Sequence, residues 1–190
     1  MNEAVQPLLH KTVHQFSHLR DAMVCLIERA RMSDPDLART VGALIQFAAE
    51  RAQSVVLLIQ GGRLWDAEIL MRTFTEAILR ALYTCTADTT DRRKRIREYW
   101  SDLAEVNELK RSNCARELLE SLPPDPILDA TIAPLVLPLE REQELRARWP
   151  SAERHRLESR WGFSSILRTA GQELSQFAPI QGLQPFTHCL

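Results

Sequence analysis

The chain has 190 residues, with 24 basic against 25 acidic side chains and a formal net charge of −1. That length suits one compact domain able to remove roughly 70% of its unfolded surface from water, so stability needs neither metal nor disulfide. The balanced charge excludes a globally basic nucleic-acid binder, although arginine far outnumbers lysine and Arg92-Arg93-Lys94-Arg95-Ile96-Arg97 forms a local basic run. Cys25, Cys85, Cys114 and Cys189 lie far apart with no C-x-x-C pair, which argues for reduced, buried thiols in a cytoplasmic protein. Met1 to His10 lacks a cationic region followed by an apolar one, and the longest apolar run, Val55 to Ile59, is too short to cross a bilayer, so no membrane partner is expected.

Apolar residues recur at helical spacing, glycine is scarce, and no alternating pattern persists, which predicts an all-α protein. The first helix is predicted from about Pro7 to Arg31, with Leu9, Val13, Phe16, Met23 and Ile27 as core candidates. Ser33-Asp34-Pro35 then supplies a cap and a first-turn proline for a second helix, whose buried stripe is Val41, Leu44, Ile45, Ala48, Ala52, Val55 and Ile59. Gly61-Gly62 ends it with a short reversal, making helices two and three an antiparallel hairpin. Helix three runs to about Thr86, and Asp88-Thr89-Thr90-Asp91 starts a fourth long helix reaching about Leu122, with Ile96, Trp100, Leu103 and Val106 facing inward.

Beyond it, Pro123-Pro124-Asp125-Pro126, Pro134, Pro138 and Pro150 break the chain into short pieces. Glu140 to Trp149 reads as an exposed charged helix, and a further short helix after Trp161-Gly162-Phe163 ends near Gly171. The expectation is one helical domain over 1–190: a core bundle of four long antiparallel helices over 7–122 and a proline-broken closing segment over 123–190.

Helix three carries the most informative charges. Arg72, Glu76 and Arg80 recur every fourth residue on a helix otherwise almost wholly apolar, which predicts that they are buried and paired as a polar clamp bordering a binding site. The cations Arg92, Arg93 and Arg95 of the basic run read either as a solvated helix face or as a second candidate binding set, for which RNA would be the partner. His10, His14 and His18 recur one turn apart, but His10 and His18 are about 12 Å apart along a straight helix. They form at most a two-histidine half-site, and otherwise a polar stripe; no metal is assigned. Walker, dinucleotide, G-x-S-x-G and H-E-x-x-H motifs are absent, so no cofactor is expected.

Gly62, Ala67, Leu70, Arg72 and Glu76 are similar to the glycine, alanine, leucine and R-x-x-x-E sequence of a bacterial family of domains of unknown function, number 5677 in its series. Its members resemble helical bundles of the HEPN (higher eukaryote and prokaryote nucleotide-binding) type and often occur beside defence genes. Trp161-Gly162-Phe163-Ser164 resembles the family's later W-x-x-S segment, and Tyr99 an aromatic on the helix after the hairpin. The likeness covers most of residues 40–190. Where the family tends to place a histidine before the tryptophan, this chain has Arg160; where it has a late arginine and histidine pair, His188 follows Gln181.

The resemblance implies a helical binding or regulatory module in a bacterial defence or toxin-antitoxin setting, working through a protein partner or as a homo-oligomer. The alternative is a metal-independent ribonuclease acting as a dimer. Arg148 and His155 enclose six residues, a spacing that resembles the R-x4-6-H motif of HEPN ribonucleases. Arginine would stabilise the phosphate charge while histidine moves the proton. Pro150 falls between the two, so their side chains need not converge.

Overall fold

The computed structural model describes residues 5–123 and 125–177. Gln181, His188 and Cys189, and the side chains of Leu9 and Phe16, lie outside the described set. The fold is all-α, as the periodicity predicts, with no strand among the described residues. Its helices are α1 (Val5–Ser33), α2 (Pro35–Gln60), α3 (Leu64–Thr86), α4 (Thr89–Arg97), α5 (Leu103–Ser121), α6 (Pro126–Ile132), α7 (Leu139–Arg148), α8 (Ser151–Arg160) and α9 (Phe163–Phe177). A π-helical turn, Glu98–Asp102, joins α4 to α5, and a 3-10 turn, Ala133–Leu135, follows α6.

The helix boundaries follow from local chemistry. Asp34 accepts a hydrogen bond from the Leu37 amide at 3.1 Å, and Pro35 occupies the first turn of α2, where its missing N–H costs nothing. Gly62 takes the left-handed conformation at φ +74°, and the Arg63 amide returns to the Leu58 carbonyl at 2.8 Å, closing the end of α2. The Asp88 carboxylate accepts from the amides of Thr90 and Asp91, both at 2.9 Å, and starts α4. Asp125 does the same for Ile127 and Leu128 ahead of α6.

The chain forms two compact units: residues up to Ile96 together with those from Phe163 onward, and Arg97–Gly162. The division falls inside the fourth long helical stretch, not at the proline-rich break after Leu122. Among the described residues of the first unit, α1 packs on α2, α2 on α3 and α3 on α9, with no comparable packing of α1 on α3 or α9. This is an open row of helices. Its core is built from Val41, Leu44, Ala48 and Val55 of α2, Ala67, Ala77 and Ala81 of α3, and Ile166 and Ala170 of α9. The alanines let α3 approach its neighbours closely. The second unit buries Val106 and Leu109 of α5 with Ile132, Leu145, Leu157 and Trp161.

Several expectations are corrected. Cys25, Cys85 and Cys114 are exposed and unpaired, not buried. Trp100 lies within the wide π-helical turn and is largely exposed, while Glu98 of the same turn is buried; a π turn advances the winding by a different angle from an α turn, so inward positions cannot be extrapolated through it. The charged helix α7 is not exposed all round, because it buries Glu142 and Leu145. Helix α9 continues past Gly171 to Phe177, and it packs on α3.

By length and mean composition α2, with 26 residues, is apolar enough to cross a membrane, and it is the one described helix that is. The longest uninterrupted apolar run understates this, because from Val41 onward only Gln46, Glu50, Arg51, Gln53 and Ser54 interrupt the apolar sequence before Gln60.

Candidate functional site

Helix α3 begins immediately after the left-handed Gly62, so its first turn stands at the tip of a helical hairpin. Leu64 and Trp65 there are 66% and 76% exposed, followed by Ile69 at 55% and Met71 at 45%, with Leu57 of α2 exposed beside the same turn. Large apolar side chains on one tip are the signature of a contact surface rather than of a solvated face. An α3 almost wholly apolar is expected to be buried all round; it instead buries mainly its alanines.

The charges of α3 lie on this exposed side. Arg72 donates from Nε to Glu76 Oε1 at 3.1 Å, and Arg80 lies 3.7 Å from the other Glu76 oxygen. The side chains are 79%, 26% and 37% exposed for Arg72, Glu76 and Arg80. The predicted buried clamp is therefore corrected: the three residues do meet, as an i, i+4 ladder at the surface. Spacing revealed the ladder, but the direction it faces depends on where α2 and α9 pack.

The basic run also divides. Arg92 turns back to the end of α3, donating to the Ala87 carbonyl at 2.9 Å and lying 3.6 Å from Asp34. Cations at a helix C-terminus satisfy its free carbonyls. Arg95 is buried, its guanidinium 3.7 Å above the Tyr83 ring, and it donates to the Tyr83 carbonyl and to both oxygens of Glu173, at 2.6 and 3.1 Å. Thr86 donates its hydroxyl to the same carboxylate. The hydrogen bond from Arg95 holds the Glu173 carboxyl below the usual carboxylate range; burial opposes this, and the Thr86 hydroxyl assists. Arg92 and Arg95 are thus corrected from a nucleic-acid surface to ties within the first unit. Arg93, Lys94 and Arg97 stay exposed, with Arg97 3.8 Å from Asp102.

Glu173 was missed by the sequence reading. Its signal was present: Ile166, Ala170 and Glu173 share one face at helical spacing. Gly171 concealed the continuation of the helix.

In the second unit Arg148, at the end of α7, is held by Glu105 at 2.7 Å and Glu144 at 3.2 Å, and the adjacent Trp149 indole donates to Glu105 at 2.7 Å. His155 lies beyond Pro150 on α8, exposed, with Nε2 3.5 Å from the Ser159 hydroxyl. No hydrogen bond or ion pair among the described residues joins Arg148 to His155. Arg160, where the family likeness led one to look for histidine, pairs with buried Glu98, and the Trp161 indole donates to the same carboxylate at 2.9 Å. Tyr99 lies against the Trp161 ring, with centroids 5.6 Å apart. A second buried carboxylate, Glu142, accepts from Arg116 and Arg146; these bonds, Arg116's first, pull its pKa below the usual range despite burial.

On α1 the His14 and His18 rings meet edge to face with centroids 4.5 Å apart, and both are exposed. Among the described residues no three histidine, cysteine or carboxylate side chains gather where they could hold a metal ion. Compared with family models, with curated proteins and with solved structures, the chain matches none.

Proposed function

We propose that this protein is a helical binding or regulatory module that acts through protein contacts made by the α2 and α3 hairpin. The observation that carries the reading is the cluster of exposed Leu57, Leu64, Trp65, Ile69 and Met71 around the hairpin tip, next to the surface ladder headed by Arg72. Contact surfaces concentrate their energy in aromatic and arginine side chains, and Trp65 and Arg72 supply one of each. Free Cys25, Cys85 and Cys114 fit a reducing cytoplasm. The bacterial defence or toxin-antitoxin setting rests on the likeness of Gly62, Ala67, Leu70, Arg72 and Glu76 to the family described above.

The competing reading is the dimeric, metal-independent ribonuclease using Arg148 and His155. Glu105 and Glu144 already engage the Arg148 guanidinium, so it would have to leave two carboxylates to reach a phosphate. The test is incubation of concentrated protein with RNA in the presence of chelator. Intact RNA is expected; cleavage that disappears in His155→Ala overturns the binding-module reading.

A further inference from the structure

This inference rests on the contact surface just described and names its occupant. On α3 the charged side chains Glu68, Arg72, Glu76 and Arg80 stand at intervals of four and alternate in sign. Glu68 is exposed and makes no ion pair among the described residues. An alternating row of four charges has a property that a row of three or five lacks. Reversed end to end, each member meets its opposite.

We propose that α3 pairs antiparallel with α3 of a second copy of this chain, about a two-fold axis at the level of Phe74. That arrangement sets Arg72 of one copy against Glu76 of the other and Glu68 against Arg80, and two-fold symmetry makes each pair twice. The apolar Ile69 and the half-buried Leu79 obey the same reversal and come opposite each other, while Trp65 reaches the level of Tyr83, whose own ring is buried under Arg95. Exposure is complementary as well, because the N-terminal half of the face is exposed at Trp65, Glu68, Ile69 and Arg72 while the C-terminal half is half-buried at Glu76, Leu79 and Arg80. A projecting half therefore meets a recessed one.

On the paired face the exposed Leu64, Trp65 and Ile69 offer on the order of 300 Å² of apolar surface, taking roughly 100 Å² per side chain. The aliphatic stems of Arg72 and Arg80 add to it, which makes a small interface set in register by its charges rather than one of the standard ~800 Å² per partner. A foreign partner would have to reproduce the reversed charge order, whereas a second copy carries it already.

The test is sedimentation of the full chain and of two charge-reversed variants, Glu68→Arg and Arg80→Glu, each checked for helix content. Wild type is expected at the mass of a dimer. Each variant alone opposes like charges and should associate at least about tenfold more weakly. An equal mixture of the two variants restores both pairs and should return to dimer mass, which a merely structural role for these residues would not produce. Arg72→Glu mixed with Glu76→Arg is the second such pair, used if a first-pair variant loses its helix signal. A monomeric wild type, a dimer indifferent to these reversals, or a mixture no tighter than its components overturns the proposal. RNA cleavage, by contrast, would sink the binding-module reading without bearing on the oligomeric mass.

Discussion

At its C-terminal end α3 buries Tyr83 and Thr84, and Arg95 and Glu173 close over them from α4 and α9. At its N-terminal end, in sequence no less apolar, Leu64 and Trp65 stand in solvent. The difference lies outside α3. Helix α9 comes back to one end of the helix, where Glu173 supplies a carboxylate for a buried guanidinium, while the apolar side chains at the other end stay exposed. Hydrophobicity along a helix states which residues can be covered; the rest of the chain decides which of them are.

That contrast can be broken most directly at the closed end. Arg95→Ala leaves Glu173 beside a void and should lower the unfolding free energy by about 3 kcal/mol, read by urea denaturation. A loss no larger than that of a surface residue would show that this pair does not close the end. The same pair sets an acid limit. Because the Glu173 pKa is depressed in the folded protein, its contribution is complete above the unfolded glutamate value of about 4.3 and is lost as pH falls through the lower native value. Thermal melts of Glu173→Gln should therefore show a flatter decline over that acid range than wild type.

At the hairpin itself, Gly62→Ala meets no neighbouring atom within 4 Å, so its cost is backbone strain alone, about 1 to 2 kcal/mol in a denaturation curve. Glu76→Ala breaks only the surface ladder and should cost less than about 1 kcal/mol. A loss comparable to that of Arg95→Ala would restore the buried clamp that the periodicity predicts. Smallest of all, Trp65→Ser should leave stability within about 0.5 kcal/mol of wild type, while weakening association in sedimentation.

Helix type, and the helix ends marked by a cap or a glycine turn, were readable because they depend on neighbours in sequence. Asp34, Gly62 and Asp88 act on amides and carbonyls a few residues away, and each does so in the structure. The Arg72, Glu76 and Arg80 contacts were readable for the same reason, being one turn apart. Their exposure was not, since it depends on which side of α3 receives α2 and α9. Arg95 shows the limit most plainly: its sequence neighbours make it part of a basic run, yet its partner is Glu173, 78 residues away. The pairing of Glu98 with Arg160 and Trp161 spans a similar interval and was equally invisible.

The π-helical turn at Glu98–Asp102 also has a meaning for inheritance. Its wider winding stores one residue more than an α-helix would use over the same path. Deleting Ser101 would therefore not open a gap but would let ordinary winding close through the site, with Glu98 kept nearly in phase with Val106 and Leu109. Regular winding of the full sequence would instead turn Glu98 by about 100° and carry its carboxylate off Arg160 and the Trp161 indole. The spare residue is what allows one helix to aim a buried acid and an apolar stripe in directions that regular winding could not reconcile.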